Sequence, residues 1–135
     1  MTDVVQHSLQ YLSDDDINAI ARYLKSLSPR DSQQKVFKAD DSVSQALWKG
    51  NDQQTGAAEY VDSCAACHKT DGSGYNRFFP ALKGNPVVLA EDPTSLIHIV
   101  LTGDTLPGVQ GAPSAVTMPA FGWRLNDQQV ANVVN

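Results

Sequence analysis

The stretch Cys64-Ala65-Ala66-Cys67-His68 constrains this chain more than any other. Two thiols stand three positions apart, and an imidazole follows at once. Thiols at that spacing can add across the two vinyl groups of a porphyrin as thioethers. His68 then brings a ring nitrogen under the iron as proximal ligand. The motif is read as the attachment site of one covalent c-type haem. The alternatives are a redox-active dithiol and half of a zinc site. A thioredoxin-like dithiol wants a strand before the motif and a helix after it. Here a helix-like run leads in, and Asp71-Gly72-Ser73-Gly74 leads out as a turn-rich loop. A structural zinc site wants four ligands, and the chain has only these two cysteines.

The 135 residues make one domain, or one domain with an appendage. Ten Lys and Arg stand against 15 Asp and Glu, for a net charge of −5. Such a chain has no phosphate-neutralising patch, so no nucleic-acid partner is expected. No apolar run reaches the roughly 18 residues of a membrane span. A c-type haem is attached outside the cytoplasm, and no leader opens the sequence. A longer precursor with an export signal is therefore expected.

Taken in order, Ser13-Asp14-Asp15-Asp16 is a helix N-terminus, with Ser13 as cap and Asp16 at the acid position of a capping box. The three carboxylates suit the helix dipole better than acid–base catalysis. Ile17, Ile20, Ala21, Leu24 and Leu27 recur at helical spacing, and Pro29 stops the helix. Residues 29–50 read as a linker. Val36 and Phe37 can clip it to a surface; Ala46, Leu47 and Trp48 can do the same or begin a helical turn.

The haem domain spans residues 51–135. Gly56, Tyr60 and Cys64 lie four apart on one face of a helix running into the motif, and Val61 widens that face. Gly56 marks either a close helix crossing or a plain helix start. After the loop, Phe78-Phe79-Pro80-Ala81-Leu82 brings back apolar groups for a haem edge. The Pro80 carbonyl is the candidate acceptor for the second ring nitrogen of His68. Tyr75 and Arg77 are candidate propionate partners, with ordinary loop positions as the alternative. Asp92 caps the next helix, with Pro93 first in it. Leu96, Ile97, Val100 and Leu101 form its stripe and Gly103 ends it. His98 falls off the stripe, which favours a solvated residue over an axial ligand.

A loop rich in Gly and Pro, with Pro107, Gly108, Gly111 and Pro113, then delivers Met118-Pro119-Ala120-Phe121. Thioether sulfur is a soft ligand for haem iron. Met118 stands in a Pro-bounded loop rather than on a helix stripe, which favours axial ligation over core filling. Trp123 and Leu125 would continue the haem wall. Asn126 and Gln129 form another capping box, and Val130, Val133 and Val134 begin a final helix. This ending repeats the beginning: Leu125 to Val130 follows the pattern of Leu12 to Ile17, and Met1 precedes Leu12 much as Met118 precedes Leu125. The first segment has the pattern of a Met loop and last helix from a preceding domain.

These residues resemble class I cytochrome c: Gly56, Tyr60, the C-x-x-C-H motif, Pro80 and Met118. Three stretches resemble the last haem domain of the three-haem cytochrome subunits of periplasmic alcohol and gluconate dehydrogenases. They are Phe79 to Pro86, Met118 to Trp123 and Leu125 to Val134. Residues 1–28 resemble the end of that family's middle domain, with Met1 matching the middle haem's axial ligand. The resemblance implies an all-α class I cytochrome c fold with an extra N-terminal helix, truncated at its C-terminus. It implies electron transfer rather than catalysis, through one covalent haem c. Implied binding residues are Cys64, Cys67, His68, Met118, Pro80, Tyr75, Arg77, Phe79, Leu82 and Trp123, with His68 and Met118 on the iron. Implied partners are a dehydrogenase catalytic subunit, sibling haem domains, and quinone or a redox-protein acceptor such as a terminal oxidase. The implied location is the periplasm, with membrane association only through the rest of the parent subunit. The rivals are a free-standing or oxidase-associated monohaem cytochrome and a haem peroxidase with an open iron site. In the resembled fold the last helix continues past Asn135 to an aromatic facing Gly56. The helix of Asp14 to Leu27 carries Tyr23 at the matching place, so it is expected to pack on the surface that the missing turn leaves bare.

Overall fold

Residues 2–28, 37–112 and 114–135 are described by the computed structural model. The elements in order are α1 (Thr2–His7), a 3-10 turn (Leu9–Tyr11), α2 (Asp14–Ser26), α3 (Ser42–Trp48), α4 (Ala57–Ser63), α5 (Ala65–His68), α6 (Thr94–Thr102), β1 (Asp104–Thr105), β2 (Thr117–Met118) and α7 (Asp127–Val134). The fold is all-α, with a single two-residue antiparallel pair among the described residues. The roles expected of Met1, Pro29, Val36 and Pro113 fall outside the described residues. No described helix is long and apolar enough to cross a membrane.

The chain divides into two compact units. The first comprises residues 1–37 and 106–115. Within it, α2 starts where its cap predicts. Ser13 Oγ accepts from the Asp16 amide at 3.2 Å and donates to the Asp16 carboxylate at 2.6 Å. The large residues of its apolar stripe are exposed, from 40% at Ile17 to 59% at Leu24. In the 106–115 loop, Val109 and Ala112 exchange two backbone hydrogen bonds of 2.9 Å. The Gln110 amide donates to Gln10 Oε1 at 3.1 Å, tying that loop to the turn after α1.

The second unit comprises residues 38–105 and 116–135. Part of the expected linker belongs to it. Residues 42–48 form α3, and Asp41 just before the helix pairs with Lys83. Ser44 Oγ also lies 3.4 Å from Thr70 Oγ1. The buried core is small: Val100 of α6, Val130 of α7, and Phe121 and Leu125 from the turn between β2 and α7. Ile97, Met118 and Val134 pack against it. Two details of the expected stripes change. Leu101 is exposed, because it lies on the flank of α6 away from Val100, and Val61 is exposed on α4. The α6 helix also starts one residue late, with Pro93 as its cap, while Asp92 Oδ1 accepts from both the amide and the hydroxyl of Thr94.

Both readings of Gly56 hold at once. It is the N-cap of α4, at φ +80. A Cβ there would overlap the Asn132 carbonyl of α7 and touch Val133 Cα. A left-handed backbone and a closely crossing helix both demand glycine. The expectation of a bare surface at Gly56 is therefore corrected. The final helix already reaches it, because Asn132 lies within α7. Asn126 sets the start of α7 through a complete capping box with Gln129.

Candidate haem site

The motif is built on a continuous helical path. Cys64 joins α4 to α5: its amide donates to Tyr60 O at 2.8 Å, and the His68 amide donates to Cys64 O at 2.9 Å. Cys64 and Cys67 therefore sit one turn apart with His68 beside them. Both cysteines are partly buried free thiols. Burial, with the Cys67 thiol second, pushes the Cys64 thiol up to about 11. A dithiol-exchange site needs the reverse, a depressed thiol that ionises near neutrality. Among the described residues, no strand precedes the motif. Among the described residues, no three His, Cys, Asp or Glu side chains cluster to hold a metal ion.

His68 is buried, at 6% exposure, and its Nδ1 lies 2.9 Å from the Pro80 carbonyl oxygen. A carbonyl only accepts, so Nδ1 carries the proton and Nε2 keeps its lone pair for a metal. The loop after His68 delivers that carbonyl. Gly74, at φ +62, donates its amide to His68 O at 3.0 Å. A Cβ on Gly74 would overlap the carbonyls of Phe79 and Pro80. Only glycine lets these strands of the loop close. Tyr75 and Phe79 pair their backbones, and their rings meet edge to face at 5.9 Å.

Met118 is delivered in an equally defined way. Asp104 and Thr105 of β1 pair with Met118 and Thr117 of β2. The amides of Phe121 and Gly122 donate to Val100 O and Leu101 O, at 3.0 and 3.2 Å, near the end of α6. A Cβ on Gly103 would overlap the Met118 carbonyl. The sequence offered Gly103 as a helix stop, and it is also the point where the Met118 segment crosses the helix end.

This donor set fits a haem. It holds two thiols one helical turn apart, an oriented imidazole, and a thioether among apolar side chains. No large side chain of the described residues is fully buried. Phe79, Leu82, Ile97 and Met118 are half-buried, as residues flanking a large apolar group would be. A family model of cytochrome c matches residues 53–135. The chain belongs to the cytochrome c family. Membership implies covalent haem c and electron transfer.

The whole of this cytochrome c chain also aligns with longer proteins. It is 72% identical over 136 residues to the gluconate 2-dehydrogenase cytochrome c subunit of Pantoea cypripedii, taking in 31% of that protein. It is 47% identical over 135 residues to the alcohol dehydrogenase (quinone) cytochrome c subunit of Gluconobacter oxydans strain 621H, taking in 28%. It is 33% identical over 157 residues to the fructose dehydrogenase cytochrome subunit of Gluconobacter japonicus, taking in 31%. Each comparison covers 100% of this chain. The chain thus spans less than a third of the length of the curated relatives it matches.

The remaining expected site residues of the cytochrome c domain differ in setting. Tyr75 is partly exposed, with Lys69 Nζ 4.4 Å from its ring centre. Arg77 is exposed at φ +67. Trp123 is 82% exposed, while its neighbours Phe121 and Leu125 are buried, so those two supply the packed wall at that turn. His98 is exposed on α6. Sequence reasoning missed the Tyr60 hydroxyl, which donates to Lys69 O at 2.6 Å, and the Asp41–Lys83 pair. The Tyr60 contact had a signal, since a tyrosine one turn before Cys64 carries a hydroxyl that needs a partner when buried. The ion pair, spanning 42 positions, had none.

Proposed function

We propose that this domain carries electrons through one covalent haem c, held by Cys64 and Cys67 and ligated by His68 and Met118. The observation that carries the reading is the motif helix, with His68 turned by the Pro80 carbonyl so that Nε2 is left for iron. When bound, the haem supplies a one-electron ferric–ferrous couple. The protein's part is to hold and tune it. Pro80 keeps His68 in one tautomer and raises its basicity. Met118, brought in by β2, is the soft ligand that lifts the potential above that of a bis-His site. Val100, Phe121 and Leu125, with Phe79 and Leu82, keep water from the site, and Tyr75, Arg77 and Trp123 are candidate contacts at its rim.

The relatives' names support a larger setting. We read residues 1–28 as the end of a preceding haem domain and residues 51–135 as the last domain of a multihaem subunit. Its partners are a dehydrogenase catalytic subunit and sibling haem domains in the periplasm, and electrons leave toward quinone or a terminal oxidase. Membrane association belongs to the rest of the subunit.

Met118→Ala tests the ligand pair. The variant is expected to lose the near-infrared band of methionine-ligated ferric haem and to have a lower midpoint potential. A band that survives the substitution rejects Met118, and a wild-type chain that never shows the band makes His98 the next residue to examine.

A further inference from the structure

We propose that Tyr60 is a positioning residue for His68: its hydroxyl holds the Lys69 turn that carries the Pro80 carbonyl to the imidazole. The inference rests on reading His68 as the haem ligand. Its starting point is backbone strain beside that ligand. Lys69, the next residue, has φ +61 and ψ 163. That region is essentially reserved for glycine, and a side chain there persists only where the surroundings impose it. Three contacts impose it here. The Tyr60 hydroxyl and the Gly72 amide both donate to Lys69 O, at 2.6 and 3.2 Å. The ammonium of Lys69 sits over the Tyr75 ring.

From that turn the loop closes into a ring of contacts. Leu82 and Lys83 donate their amides to Gly72 O, at 2.8 and 3.0 Å. Gly74 donates to His68 O and lies against Pro80 O. Pro80 O then accepts from His68 Nδ1. A change at Lys69 therefore reaches the imidazole through a few hydrogen bonds. The Tyr60 contact ties this ring to the body of the helix preceding the motif. The strain at Lys69 is comparable in size to one hydrogen bond, so the loss of a single donor is enough to loosen the turn. Burial pushes the Tyr60 phenol up to about 12, so it remains a donor across the neutral range. A looser turn weakens the Nδ1–H···O bond, makes His68 less basic and favours ferrous iron.

The test uses the haem-loaded chain and three variants, Tyr60→Phe, Lys69→Gly and the double variant. Tyr60→Phe keeps the ring and removes only the donor. Pyridine haemochrome spectra first establish equal covalent haem. Tyr60→Phe is then expected to raise the midpoint potential and to speed amide exchange at Gly72 and Gly74 by up to about tenfold. Exchange at Phe121 and Gly122, on the Met118 side, stays unchanged. Glycine at 69 relieves the strain, so adding Tyr60→Phe to Lys69→Gly should shift neither readout further. An unaltered potential and exchange in Tyr60→Phe overturns the proposal. So does an equal shift in both backgrounds, which would mean that Tyr60 acts elsewhere. A wild-type chain that takes up no covalent haem defeats the underlying reading as well, and the haemochrome step separates that failure from the others.

Discussion

At the scale of single residues, the site depends on where protons sit. The Pro80 carbonyl fixes the proton of His68 on Nδ1, and burial, ahead of the charges of Cys64 and Asp71, keeps the proton on Tyr60. The Tyr60 phenol is raised from its ordinary value near 10 to about 12. A group whose pKa is raised in the folded state binds its proton more tightly there than in the unfolded chain. Its stabilising effect is full below about pH 10 and is lost as pH rises through about 12. Unfolding by urea, followed by circular dichroism from pH 9 to 12, should show stability falling across that window. Tyr60→Phe should flatten the fall. A wild-type curve already flat there would show that the phenol gains nothing from its buried setting.

At the scale of elements, glycines decide which segments can touch. Gly56 and Gly50 both have positive φ, +80 and +75. A Cβ on Gly56 meets the α7 backbone, while a Cβ on Gly50 meets nothing within 4 Å. Gly56→Ala is expected to cost about 2–4 kcal/mol from strain and overpacking together. Gly50→Ala should cost about 1 kcal/mol, from backbone strain alone. Equal losses in chemical denaturation would mean that α7 yields freely at the crossing. The Ser13 cap of α2, the capping box of α7 and the helix into the motif were legible in the sequence, because each is written in residues close together along the chain. The Pro80 acceptor was legible from chemistry, since an oriented imidazole needs a carbonyl or carboxylate. The close approaches at Gly74 and Gly103 were not, because a glycine's neighbours across space leave no mark on its neighbours along the chain. The same holds for α3. Ala46, Leu47 and Trp48 suggested a helical turn, but the Asp41–Lys83 pair and the Ser44–Thr70 contact that attach this stretch to the haem unit join residues far apart in sequence.

At the scale of the whole molecule, the candidate site falls within one of the two units. The motif, Pro80 and Met118 belong to the second unit, and the 106–115 loop that leads toward Met118 belongs to the first. Within the first unit, Gln10 Oε1 accepts from the Gln110 amide. Deleting residues 1–28 should therefore speed exchange of the Gln110 amide several-fold while covalent haem is retained; unchanged exchange would show that the loop holds itself. On the proposed function, Cys64 and Cys67 would hold a haem covalently, with His68 and Met118 as the ligands of its iron. The most direct measurement is the absorption spectrum of the chain, exported with its maturation machinery, in oxidised and reduced forms before and after acid–acetone extraction. A low-spin c-type spectrum is expected, with haem that stays with the protein and the near-infrared methionine band in the oxidised form. Haem that leaves in the acetone, or a chain that emerges with both thiols free, would contradict covalent attachment.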